Sequence, residues 1–433
     1  MTPEQAGAPE APRFRRALVY WLQLGCISFG GPAGQVALMH QELVERRRWI
    51  SEGRFLHALN YCMLLPGPEA QQLATYLGWL LHGVRGGIAA GLLFVLPSLL
   101  LLIALSWAYL ALGSTASAAL LAGVKPAVIA VIAHAAWRVG SRSLRRPPAR
   151  WLALLAFAVL SLLPVQAWTF PLLLALAALC GWLWRDAFAA PAATPALAEE
   201  RRPALIDDHS PTPAHAEIRP HRLLAIALLG LGLGLAVWGL LRLLDGAEGR
   251  LTDMAAFFTQ AALLTFGGAY AVLPYVFHNA VQTYGWISAP QMLDGLALGE
   301  STPGPLIMVV AFIGYLGAAG VEQHWAAGIA GALVASFFTF LPSFLFILLG
   351  APWVERSRSF SALTAPLSAI GAVVLAAIAH LAVVLAVQQF WPASGFDARS
   401  ALLASLGLLA LVRGWLGVVP LLALSAVLGW IWL

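Results

Sequence analysis

Charge is what this chain has least of. Across 433 residues, Asp, Glu, Lys and Arg together make up 10%, whereas soluble globular proteins carry roughly 25%. That shortage excludes an ordinary water-soluble domain. Lysine is nearly absent: Lys125 stands alone, so the net charge of +5 rests on arginine. The arginines fall between apolar runs rather than in one basic patch. They read as membrane topology signals and exclude a nucleic-acid partner. Cysteine is scarce as well. Cys26, Cys62 and Cys180 lie in apolar segments without pair spacing, so neither a disulfide framework nor a zinc site is expected. No HExxH motif, CxxC pair or loop cluster of histidine with carboxylates occurs, which argues against a polytopic membrane enzyme; no cofactor is expected. The first sixteen residues, MTPEQAGAPEAPRFRR, lack the apolar core of a signal peptide. Residues 1–15 are therefore expected to form a retained cytoplasmic tail.

What the chain does have is apolar length and repetition. Hydrophobic residues make up 60%, and runs such as 88–112 and 325–350 exceed the roughly 20 residues that a spanning helix needs. The expected partner is the lipid bilayer. Self-comparison then shows a duplication. Phe29-Gly30-Gly31 returns as Phe266-Gly267-Gly268, Trp49-Ile50-Ser51 as Trp286-Ile287-Ser288, and Pro66-Gly67-Pro68 as Pro303-Gly304-Pro305, all at an offset of 237. Leu96-Pro97-Ser98 returns as Leu341-Pro342-Ser343 at offset 245, and Ile132-Ala133-His134 as Ile378-Ala379-His380 at offset 246.

The fold class this predicts is an all-α polytopic membrane protein. In the first repeat (16–186), apolar runs place spans at 16–38, 55–80, 86–112 and 118–138. The run 151–184 is better read as a hairpin of two short helices around Leu163-Pro164-Val165-Gln166. The second repeat (253–433) gives 254–277, 291–318, 325–350, 364–389 and 400–433, the last broken near Arg413-Gly414. Between them, 187–221 is a proline-rich polar linker, expected to be disordered, and 222–245 is one extra span. Six plus one plus six give about thirteen spans. An odd count between repeat starts makes them inverted-topology repeats, as in many secondary transporters. Arginine placement puts the N-terminus inside, with Arg13, Arg15, Arg16, Arg85, Arg138, Arg142, Arg145, Arg146, Arg150, Arg356, Arg358 and Arg413 on the cytoplasmic side. Arg46, Arg47 and Arg48 disagree unless the first segment is re-entrant.

A Pro-Gly-Pro triplet cannot continue a helix: two donors are missing and the residue before each proline is pushed out of helical geometry. Broken backbone at membrane depth survives only against protein or a watery cavity. Each repeat carries two such breaks, at Phe29-Gly30-Gly31 and Pro66-Gly67-Pro68, then at Phe266-Gly267-Gly268 and Pro303-Gly304-Pro305. A helix starting after each break offers free donors and about half a positive charge, a seat for an anion. Four such ends meeting at mid-membrane would suit a dianion; packing glycines and simple kinks are the plainer reading. Gln35, Gln71 and Gln72 are candidate donors to oxyanion oxygens. Lys125 either attracts the anion or snorkels to the interface. Ionisable groups inside spans are coupling candidates: Glu69, Glu300, His134 and His380, against capping or packing roles. Offset 237 pairs Glu69 with Leu306 and Glu300 with Met63, so the site is chemically asymmetric. Ser51 and Ser288 read as helix N-caps.

Taken together, FGGPAGQVALMHQELVERRRW, LLPGPEAQQLATYLGW and FVLPS, with LTFGGAYAVLPYV, YGWIS and LGESTPGPLIMV in the second half, resemble the chromate ion transporter family in its long, two-domain form. The likeness covers about 15–150 and 253–390. It implies export of chromate across the bacterial inner membrane by a multi-pass protein, with sulfate as the similar oxyanion and a homodimer as one allowed assembly. A general sulfate or oxyanion carrier and a passive channel stay open beside it.

Overall fold

The computed structural model describes residues 12–29, 31–144, 146–163, 168–188, 204–207, 210, 213–246, 249–320, 324–356, 364–392 and 395–432. The expectations for Gly30, Arg145, Pro164 to Gln166, most of the linker and Arg358 lie outside them. In chain order the helices are α1 (Phe14–Ile27), α2 (Gly31–His40, continued by a π-helical turn Gln41–Arg46), α3 (Glu52–Leu64), α4 (Glu69–Leu121), α5 (Val124–Ser143), α6 (Pro147–Leu162), α7 (Thr169–Leu183), α8 (Arg185–Phe188) and α9 (Pro220–Asp245). The second repeat follows as α10 (Arg250–Leu263), α11 (Ala269–Phe277, continued by a π-helical turn His278–Thr283), α12 (Ala289–Ser301), α13 (Val309–Ala319), α14 (Trp325–Arg356), α15 (Thr364–Phe390), α16 (Ala398–Val412) and α17 (Val418–Trp432). Ser51 and Ser288 cap α3 and α12, accepting from the backbone N–H groups of Arg54 (3.2 Å) and Gln291 (3.3 Å).

The expected breaks stop helices where their chemistry requires. Leu65 and Thr302, each before a proline, are extended at φ −89°, ψ 149° and φ −100°, ψ 150°. Each break then reverses the chain instead of kinking it. At the start of α1, the His82 Nε2 lies 2.9 Å from the Pro12 carbonyl oxygen and Phe14 meets the His82 ring edge-on at 5.4 Å. At the end of α2, the Arg47 guanidinium lies 4.9 Å from the ring centres of Tyr20 and Trp49. Both ends of this hairpin thus share one face, called here the N-terminal face. α3 and the first arm of α4 do likewise: Arg54 pairs with Glu355, and the Tyr76 hydroxyl donates to the same carboxylate at 2.5 Å. The re-entrant first segment brings Arg46, Arg47 and Arg48 onto the face of Arg13, Arg15 and Arg16, which removes the conflict in the topology count.

α4 folds back on itself. Gly83 has φ +66°, and a Cβ on Gly78 would lie 2.5 Å from the Gly86 carbonyl oxygen, although eight residues of straight helix separate such atoms by about 12 Å. α13 and α14 turn in the same way at Gly320 (φ +61°), where a Cβ on Gly314 would lie 2.4 Å from the Gly331 oxygen. The second repeat opens on the opposite face. Arg250 Nη1 donates to the Gly317 carbonyl (2.9 Å), and Trp286 packs on Phe257 and Phe258 at 5.5 and 5.9 Å. α14 starts there and ends at Glu355 on the N-terminal face, so the two repeats are inverted.

Among the described residues, four stretches are long and apolar enough to cross a membrane: Glu69–Leu112 of α4, α9, and the greater part of α14 and α15. α6–α7 and α16–α17 are pairs of shorter apolar helices beside them. α9 has Gly234 as its buried residue, while Leu228, Leu229, Leu243 and Leu244 are exposed, as a helix solvated by lipid should be. The linker expected to be disordered is held down over its described residues. Leu205 and Ile206 donate to the carbonyls of Arg48 (2.9 Å) and Trp49 (3.1 Å), and Arg54 reaches the carbonyls of Asp207 and Ser210 at 3.1 and 3.0 Å. These polar backbone groups have partners on the protein that low-complexity composition does not reveal.

Candidate functional site

A hairpin tip leaves backbone groups that no helix satisfies, and in apolar surroundings each costs several kcal/mol. Here the repeats satisfy one another. The Gly67 N–H donates to the Thr265 carbonyl (2.7 Å) and the Gly304 N–H to the Ser28 carbonyl (2.8 Å). Donors and acceptors are both 237 residues apart, so the exchange is pseudo-two-fold. Gln35 Nε2 adds bonds to the carbonyls of Gly304 (2.6 Å) and Ser28 (3.3 Å), and Gln72 Nε2 donates to Pro66 (2.8 Å). Glycine is required at both crossings. φ is +130° at Gly67 and +108° at Gly304, and an added Cβ would lie 2.3 Å from Ser343 Oγ or 2.5 Å from Ser98 Cβ. Those serines follow Pro97 and Pro342 inside α4 and α14, so the second tip of each repeat is seated against the proline-bearing helix of the other.

On the N-terminal side of the tips lies a cavity of about 900 Å³. Its closed end is formed by Phe29, Gly31, Glu69, Gly267 and Gly268; its wall carries Tyr270, His134 and Arg138, and His40 and Glu45 stand toward the face. A Cβ on Gly268 would lie 3.8 Å from Glu69 Oε1, which brings the start of α4 against the cap of α11. The starts of α2, α4 and α11 thus border the cavity, each with about half a positive charge. The fourth expected helix start does not: after Pro305 the chain makes a 3-10 turn, Leu306–Met308, buried in the core.

The remaining candidates divide by place. Pro66, Gly67, Pro68, Pro303, Gly304 and Pro305 build the tips behind the cavity wall, with Gln35 and Gln72 as braces. Gln71 is buried and donates to Thr75 Oγ1 (3.0 Å), and Phe266 packs against the core. Glu300 stands one hydrogen bond behind the wall, accepting from the Tyr270 hydroxyl at 2.5 Å. Lys125 is a correction: its ammonium pairs with Asp294 at 2.8 Å near the opposite face, where the Tyr109 hydroxyl also donates to Asp294 at 2.8 Å. Its charge is neutralised there, and it does not line the cavity. His380 is separated from His134. It lines a pocket of about 210 Å³ with His278 and Gln282, its Nδ1 3.2 Å from Ser161 Oγ. Arg138, Tyr270 and Asp294 escaped sequence reasoning. Asp294 has a legible signal, being an aspartate inside an apolar span; Arg138 reads in sequence as one of the topology charges.

Inverted repeats whose broken helices meet around one cavity are the architecture of a membrane transporter. Comparison with known proteins agrees. The chain belongs to the chromate transporter family, which it matches over residues 16–182 and 252–430. A chromate transport protein of Cupriavidus metallidurans is 32% identical over 393 residues, covering 90% of this chain and 86% of its own length. That of Pseudomonas aeruginosa is 33% identical over 348 residues, covering 79% and 73%. A probable chromate transport protein of Synechococcus elongatus is 30% identical over 398 residues, covering 92% and 88%. No solved structure matches this chain.

Proposed function

We propose that this family member exports chromate from the bacterial cytoplasm across the inner membrane, sulfate being the chemically similar oxyanion. The observation that carries the reading is the cavity bordered by three helix starts and reached from the N-terminal face. That face bears Arg13, Arg15, Arg16, Arg46, Arg47, Arg48 and Arg85, which by the positive-inside rule is the cytoplasmic side. The anion loads from that side against Gly31, Gly267 and Gly268. The tips then open toward the opposite face as the access changes. The relatives are named as transport proteins, and the proposed chemistry is movement without bond making.

Energetics favour export. A membrane potential is worth about 2.3 kcal/mol per charge per 100 mV, so expelling a dianion from a negative interior gains roughly 4.6 kcal/mol. That supports a concentration ratio of about a thousandfold. Glu69 at the anion seat and Glu300 behind Tyr270 are the coupling groups in this reading: a proton on Glu69 removes a charge that competes with the anion. Uptake of radiolabelled chromate and sulfate into inverted vesicles with an imposed potential tests the function, and lack of saturable flux in either direction overturns it. Glu69→Gln should abolish the pH dependence of flux while anion exchange survives. An unchanged pH profile leaves Glu69 as a capping carboxylate only.

A further inference from the structure

The cavity on the N-terminal face and the small pocket with His380 are lined from equivalent positions. His40, Gln41 and Glu45 line the first; Phe277, His278 and Gln282, each 237 residues later, line the second. His134 and Arg138 of α5 face the first, and His380 and Val384 of α15, each 246 residues later, face the second. The two spaces are therefore equivalent places in one duplicated fold, about 900 Å³ in the first and about 210 Å³ in the second, called here the two routes. Their chemistry differs at one decisive place. Arg138 brings a fixed cation to the first route, and its counterpart is valine.

The other charges of the first route are neutralised or anionic. Glu45 pairs with His40 at 3.3 Å, and His40 also meets Glu52 at 2.5 Å. Glu42 holds Arg46 and Arg47 at 3.4 and 2.7 Å. Glu69 lies at the closed end. Among the described residues the Arg138 guanidinium makes no hydrogen bond or ion pair; the carboxylate its field reaches is Glu300, behind Tyr270. It is half-buried, one helical turn beyond His134, on the wall that also carries Tyr270. An arginine whose donors make no hydrogen bond in a cavity presents a planar fork suited to two oxygens of a tetrahedral oxyanion.

We infer that Arg138 is the residue that recognises the oxyanion on its way from the N-terminal face to the hairpin tips. Because the opposite route offers Val384 in its place, half-saturation differs between the two faces. The inference rests on the transport reading above and adds to it the recognition group and its one-sidedness. Net direction still follows the potential and the gradients; Arg138 sets how dilute an anion can load from the N-terminal face.

The test measures saturable chromate and sulfate flux in vesicles of known orientation, from each face separately. In the unsubstituted protein, half-saturation should be lower from the N-terminal face. Arg138→Gln should raise it on that face by about tenfold or more with little change in maximal rate, and Arg138→Lys should restore part of the loss. Val384→Arg leaves Arg138 untouched and should lower half-saturation from the opposite face. A melting temperature for each variant separates misfolding from lost recognition. Unchanged half-saturation in both Arg138→Gln and Val384→Arg, with the unsubstituted protein saturating normally, overturns the inference and leaves the transport reading standing. Absence of saturable flux in the unsubstituted protein overturns the transport reading itself.

Discussion

At the N-terminal face, Arg54 on a hairpin arm, α3, meets Glu355 on the crossing helix α14, with Tyr76 as the second donor to the carboxylate. At the opposite face, Asp294 on a hairpin arm, α12, meets Lys125 at the start of α5, with Tyr109 in the tyrosine's place. One face anchors the arm through its cation, the other through its carboxylate. The carboxylates are the more buried partners, with side chains 2% and 4% exposed against 13% and 12% for Arg54 and Lys125. Duplication has preserved the need to fasten a re-entrant arm while changing the residues and even the sign of the charge that does it. The tips behave differently. There backbone geometry does the fastening, and both repeats retain the Pro-Gly-Pro triplet and the serine it meets, Ser343 and Ser98.

Glu355→Ala should have the largest effect, since removing one partner of a buried pair costs about 3–5 kcal/mol; a melting temperature in detergent reads it. Gly67→Ala and Gly304→Ala come next. Each adds a strained backbone worth about 1–3 kcal/mol to a collision with Ser343 or Ser98. The two should lower stability and flux alike; a strong effect at one tip and none at the other would break the pseudo-symmetry claimed for them. Asp294→Asn should cost about 1.5–3 kcal/mol, the range for a hydrogen bond to a charged group, because Lys125 can partly reach water. Exchanging the pair, Lys125→Asp with Asp294→Lys, should recover most of that loss. The same exchange at Arg54 and Glu355 should not, because a carboxylate at position 54 cannot donate to the Asp207 and Ser210 carbonyls that Arg54 holds. Equal recovery at both faces would erase the distinction between them.

The duplication was legible because three triplets share one offset, and the breaks because proline and glycine act on the backbone locally. Chain reversal was not. The two arms of a re-entrant hairpin are as apolar as one crossing helix, so 16–38 and 55–80 read alike in either case; the misplaced Arg46, Arg47 and Arg48 were the clue. Nor does any local pattern state that Gly67 will pair with Thr265, since that choice belongs to the assembled pair of repeats. Arg138 was hidden by its company. It stands near the arginines that follow it in sequence, and only the packing of α5 against α15 and α16 turns it toward the cavity.

The crossed bonds at the tips also bear on how the protein is made. When the first repeat leaves the ribosome, the Gly67 N–H has no partner and the Ser28 carbonyl has the Gln35 amide alone, because Thr265 and Gly304 are still to be synthesised. Until then water must fill the centre of the unfinished half to solvate them. The first repeat is thus inserted as a wet, open half-shell. Its tips are closed off from water when the second repeat docks on it in the inverted orientation.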